Sequence, residues 1–140
     1  MIRQNLVDAI LAKMKLITKA NGFRSDCGLN CFEWYEKKLE HKQFPAMIIR
    51  DPESPSYEES GVFYHSLKIE IDIAVIGKDS VFNNREIISD ILKSFKEFKD
   101  ESNRECKYGG SETLIEQKDF MYGGTRLVFT VEYESPPWEQ

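Results

Sequence analysis

The segment Ser66–Gly77 constrains the fold more than any other stretch of this chain. Leu67, Ile69, Ile71, Ile73 and Val75 recur at strict period two, with Lys68, Glu70 and Asp72 between them. Successive side chains of a strand point to opposite faces, so this pattern predicts a strand buried on one side and wet on the other. A strand of that kind needs a sheet around it and an apolar layer against its inner face.

The rest of the chain supplies both. Residues 2–20 read as an amphipathic helix with Ile2, Leu6, Ile10, Met14 and Ile17 in one stripe, widened by Val7 and Leu11. Asn21-Gly22 is its stop signal, because glycine accepts the left-handed conformation after a helix. Residues 31–36 read as a short aromatic first strand, and Lys37–Gln43 as a charged connection. Phe44–Arg50 reads as a second strand, with Pro45 tolerated at its start. Asp51–Tyr64 is a long acidic excursion, either a loop or a hairpin with extended arms. His65–Ile76 is the third strand. Asn83, followed three residues later by Glu86, resembles a capping box that opens a second helix. Its apolar face is Ile87, Ile88, Ile91, Leu92, Phe95 and Phe98, and it ends near Asp100. Cys106–Ser111, with Gly109-Gly110, reads as a loop. Two last strands, 113–122 and 125–134, are expected to join at a Gly123-Gly124 turn. The expectation is one α+β domain over residues 1–140, in the order α-β-β-β-α-β-β. A single, mostly antiparallel sheet of about five strands would carry both helices on one face.

Bulk properties exclude some functions. Net charge is −5, and the basic residues are spread among acids without forming a stripe, which argues against phosphate-led nucleic-acid binding. No apolar run approaches the ~20 residues of a membrane span, and the opening residues lack the apolar core of a signal peptide. Synthesis and retention in a cytoplasm are expected, with no membrane partner. The three cysteines (Cys27, Cys31, Cys106) then read as reduced thiols.

Motifs that carry chemistry are sparse. Cys27 and Cys31, with His41 and Cys106, lack the tight spacing and four convergent ligands of a zinc site. Asp72 with Glu116 and Lys118 faintly resembles the carboxylates and lysine of a metal-dependent nuclease, yet a whole helix and a loop intervene where a neighbouring strand is wanted. His65 and His41 have no serine or cysteine partner in a recognisable elbow, and neither glycine pair has the spacing of a phosphate loop. No catalytic residue, metal or cofactor is assigned from these signals. The aromatics are more telling. Trp34, Tyr35, Phe63, Tyr64, Phe120 and Tyr122 lie at expected strand ends and on the rim of the long excursion, where exposed rings mark protein contacts.

Taken in order, these elements resemble the tail terminator (tail completion, minor tail protein U-like) proteins of long-tailed bacteriophages. The likeness lies in the helix Ile2–Ala20, Phe44-Pro45-Ala46-Met47-Ile48-Ile49 and the alternating strand Leu67–Ile76. It continues through the helix Arg85–Lys99 and the closing Thr130-Val131-Glu132-Tyr133-Glu134. The segment Gly28–Gln43 is not part of it. The resemblance implies a structural virion protein of the tail, present in the host cytoplasm during assembly. Six copies would form a ring on the tail tube protein, stop its polymerisation and receive the head completion or connector protein. DNA would pass through without specific binding, and Glu53, Glu58 and Glu59 would be the candidates for lining the lumen. Another head–tail joining ring protein is the nearest alternative, and a small metal-dependent nuclease a more distant one.

Overall fold

The computed structural model describes the backbone of residues 1–117 and 121–140 and the side chains of 1–113 and 123–140. Helix α1 (Ile2–Lys15) and helix α2 (Ser80–Ser102) lie on one face of a six-stranded sheet. The strands are β1 (Cys31–Glu33), β2 (Ala46–Arg50), β3 (Ser56–Glu59), β4 (Val62–Ile76), β5 (Cys106–Gln117) and β6 (Met121–Ser135). The main path runs β1-β2-β4-β6-β5, and β3 pairs with the first part of β4. Among the described residues, only β1 and β2 pair in parallel. The fold is therefore α+β with a single mixed sheet, and β3 is the element beyond the expected order.

The central strand is the one foreseen from its alternation. Leu67, Ile69, Ile71, Ile73 and Val75 are all buried. Across the ladder they meet Val131, Phe129 and Leu127 of β6 and Met47 and Ile49 of β2. Leu6, Val7, Ile10 and Met14 of α1, and Ile87, Ile91, Phe95 and Phe98 of α2, close the same core. Phe95 stacks on Phe129 with ring centroids 3.9 Å apart. Each such aliphatic side chain contributes about 1.5–3 kcal/mol on leaving water, which sets the inner face.

The helices are tied to each other and to the loops by polar contacts at their margins. Lys13 of α1 bridges to Glu101 of α2 at 2.7 Å, and Ser94 Oγ donates to the Lys13 carbonyl at 3.2 Å. Buried Asp90 of α2 accepts the Arg24 and Ser25 amides at 3.0 and 2.9 Å and the Ser25 hydroxyl at 2.6 Å. It serves a connection whose backbone donors would otherwise go unpaired.

Local boundaries differ from expectation in five places. Helix α1 stops at Lys15, because Thr18 is extended and its hydroxyl accepts from the Asn21 amide to start a separate 3₁₀ turn. Gly22, at φ 88°, ends that turn in the left-handed region, as Asn21-Gly22 suggested. Strand β1 has three residues, and Trp34, at φ 50°, turns the chain away. Helix α2 begins after Asp79, so Asn83 and Glu86 lie inside it rather than at its cap. Asn84 is buried there and donates to Thr125 Oγ1. Cys106–Ser111 is strand, not loop: β5 pairs with β6 through it, and a bulge between Tyr108 and Gly110 absorbs the glycines. Finally, Gly123-Gly124 is not the hairpin turn. Both glycines are ladder residues of β6, paired with Val75 and Ala74 on one side and Ile115 and Leu114 on the other. The β5–β6 connection falls on 118–120, outside the described residues.

Candidate functional site

With both helices on the inner face, the outer face of the sheet and its margins are what the molecule offers to others. Three features are built there, the first two from strand register and the third from a loop packed over a strand end.

The first is a charged ladder across the middle of the sheet. Register sets Arg50 against Glu70, Ile48 against Asp72, and Asp72 against Arg126. Asp72 accepts from Arg50 Nη1 at 2.5 Å and from Arg126 Nε and Nη2 at 2.8 and 3.1 Å. Arg126 Nε also lies 2.9 Å from Glu70 Oε2. Burial pushes the Asp72 carboxyl up, but the hydrogen bonds and charge of Arg126 and Arg50 outweigh it and hold it below the ordinary carboxylate range. The carboxylate is thus spent on two guanidinium groups.

The second is the β3–β4 hairpin, which is the form the acidic excursion takes. Ser60 (φ 52°) and Gly61 (φ 75°) make its two-residue turn, with both in the left-handed region as a type I′ hairpin needs. Ser66 N donates to the Pro55 carbonyl and Lys68 N to the Glu53 carbonyl, each at 2.9 Å, so the arm follows β4 beyond β3 itself. Tyr57 stacks on Tyr64 at 5.1 Å. His65 is buried at the base of the hairpin, stacked on Tyr133 at 4.5 Å. Its Nδ1 lies 2.6 Å from Ser56 Oγ and its Nε2 lies 2.7 Å from Ser135 Oγ. Each hydroxyl has a second acceptor, the Glu139 carbonyl at 2.8 Å for Ser135 and the Ser54 carbonyl at 3.1 Å for Ser56, so the imidazole tautomer sets which serine donates to His65 and which accepts from it. Burial, and to a smaller degree the charge of Arg3, push the His65 pKa down.

The third is a groove at the far end of β4. Ile48, Ala74 and Ile76 floor it, Leu39 and Phe44 wall it, and Lys37 and Lys38 stand exposed on its rim. Beyond these features the sheet ends in two unlike edges. Strand β1 offers three residues, while β5 offers twelve, with Lys107, Tyr108, Ser111, Glu112 and Thr113 exposed.

The residues singled out from sequence fall unevenly on this surface. Trp34 is 44% exposed, and its Nε1 donates to Asp51 Oδ1 at 2.8 Å. Asp51 also pairs with Arg3 at 2.9 Å. Tyr35 stacks on Phe32 at 4.5 Å. Phe63 is half-buried between His65 and Trp138, and Tyr64 belongs to the hairpin. Glu53 faces Lys68 at 3.6 Å, and Glu58 and Glu59 are exposed on β3. Lys118 and Phe120 lie outside the described residues, as do the side chains of Glu116 and Tyr122. By backbone register, Glu116 pairs with Tyr122 and Tyr122 with Ile76. Four residues of β4 therefore separate the Glu116 position from Asp72, about 13 Å along the strands.

Cys27 and Cys31 are buried free thiols, each pushed up to about 12 chiefly by burial. Among the described residues no group of three or more His, Cys, Asp or Glu side chains is placed to hold a metal ion, and no helix is long and apolar enough to cross a membrane.

Two features went unread in the sequence. Ser56–His65 was legible: a turn at Ser60-Gly61 pairs residues whose numbers sum to 121, and that sets Ser56 opposite His65. The groove left no such trace, because it joins residues 37–48 to 74–76 through tertiary packing. Comparison with known proteins adds no relative: no family model matches the chain, and no curated protein matches it.

Proposed function

We propose that this chain is a structural tail terminator of a long-tailed phage. It assembles as a six-membered ring, caps the tail tube, stops its polymerisation and presents a surface for head attachment. The observation that carries this reading is the asymmetry of the sheet: a long bulged edge at β5, a three-residue edge at β1, and an outer face that neither helix covers. Unlike patches on one subunit favour head-to-tail association, and such association gives a ring when its rotation closes. The engagement of Asp72 by Arg50 and Arg126 fits a scaffold rather than a cation site. Another head–tail joining ring protein would use the same geometry.

Light scattering coupled to size exclusion tests the assembly directly. A mass approaching six times 16.3 kDa, or rising toward it with concentration, is the expected result. A strict monomer that nicks plasmid DNA only with magnesium would replace this reading with the nuclease. Micrographs of particles lacking the protein, with overlong or headless tails, would separate a terminator from other joining proteins.

A further inference from the structure

The two ends of β4 carry opposite charge. At its start, Glu58 and Glu59 flank the tip of the β3–β4 hairpin, both exposed and neither in an ion pair among the described residues. At its other end, Lys37 and Lys38 rim the groove floored by Ile48, Ala74 and Ile76, and they too make no ion pair among the described residues. Glu40 also lines the groove, and its charge is answered by Lys42 of the same loop at 3.5 Å, which leaves Lys37 and Lys38 as the rim's net charge. The groove has a volume of about 920 Å³, room for several side chains. At ~3.3 Å per residue, the ten residues from Tyr64 to Ala74 already hold hairpin and groove about 33 Å apart, so no copy can fill its own groove.

We propose that the hairpin of each copy seats in the groove of the next. The Tyr57–Tyr64 pair then lies over Phe44, Ile48 and Ile76 with Glu59 on the same face, Glu58 flanks the hairpin on its other face, and both carboxylates come against the Lys37 and Lys38 rim. The inference rests on the ring reading and supplies its contact. The occupant is a second copy because charge and shape match: a slender acidic hairpin with an aromatic face against an apolar groove with a basic rim. The contact is heterologous by construction, since donor and acceptor sit at opposite ends of one strand. The hairpin is also rigid before it binds, pinned by Ser56–His65 at 2.6 Å and by the amide bonds to Pro55 and Glu53, so docking loses little conformational entropy. Glu58 and Glu59 seated this way do not face a lumen.

Charge reversal on the full-length chain tests the contact, read by light scattering over a concentration series at low and high salt. E58K/E59K and K37E/K38E should each raise the concentration needed for assembly about tenfold or more, because like charges then face each other. Combining all four changes in one chain should restore assembly, and added salt should weaken the wild-type ring. If the wild type forms rings and either reversed pair forms them equally well, the docking is wrong and the ring reading stands. Slowed DNA passage through such rings would assign the glutamates to the lumen. Failure of the fourfold variant to assemble, with its circular dichroism unchanged, also overturns the docking. A wild type that stays a single protomer up to its solubility limit overturns both.

Discussion

Replacing Asp72 by asparagine separates an ion-pair role from a catalytic one. Asparagine keeps the shape and removes the charge that Arg50 and Arg126 share. A sheltered charge-assisted hydrogen bond contributes about 1.5–3 kcal/mol, and an exposed ion pair about 0–1. The Arg50 side chain is 22% exposed and its bond to Asp72 is the sheltered one. Arg126 is 53% exposed and retains Glu70 at 2.9 Å, so its loss adds little. Together the change should cost about 2 kcal/mol, a sizeable share of the ~5–15 kcal/mol that holds a domain folded. Urea unfolding reads this as a lower midpoint at unchanged slope.

The effect should also depend on pH. The folded Asp72 carboxyl lies below its unfolded value, so its stabilisation is complete above the ordinary carboxylate pKa of about 4 and drains as pH falls through the folded pKa. The asparagine variant should be flatter through that window. An unchanged midpoint, together with magnesium stabilising the wild type but not the variant, would refute this account and give Asp72 a cation to hold.

Three further outcomes are expected. The folded His65 pKa lies below the unfolded value, so the folded state takes up fewer protons and stability should fall as pH drops below about 6.5. Thermal melts at pH 7.5 and 5.5 should show this slope, and His65→Gln should flatten it. Gly28→Ala sets a Cβ against the Met14 and Ile17 carbonyl oxygens at 2.5 and 2.7 Å and the Ile17 amide nitrogen at 2.9 Å. All three are backbone atoms that cannot yield singly, so a loss of about 2 kcal/mol or more should appear in denaturant unfolding. Thiol titration at pH 8 should find half-buried Cys106 first, with Cys27 and Cys31 reacting only on unfolding, because burial keeps both protonated.

Local pattern determined much of this molecule. Period two from Leu67 to Val75 and from Leu127 to Tyr133, and the helical stripes of α1 and α2, assign each apolar residue to a face without knowledge of its partners. That was enough for the α+β class, for both helices on one side of a single sheet, and for the position of the central strand. Glycine misled where its local meaning and its tertiary one diverge. Gly109-Gly110 and Gly123-Gly124 signal turns in isolation. Within the sheet, a Cβ at Gly109 would come within 3.3 Å of the Val128 carbonyl, Gly110 sits at φ 109° in a bulge, and Gly123 and Gly124 pair on both sides. Only contact between distant strands makes those constraints.

The same division runs through the candidate surface. The Ser56–His65 contact follows from a two-residue turn and was there to be counted. The Arg50–Asp72–Arg126 ladder needs the register of three strands whose residues lie 22 and 54 positions apart, and the groove needs the 37–44 segment folded over the end of β4. Side-chain alternation is dictated by each strand's own backbone. Which side chains become neighbours across strands is decided by pairing, and pairing is settled only when the whole core closes.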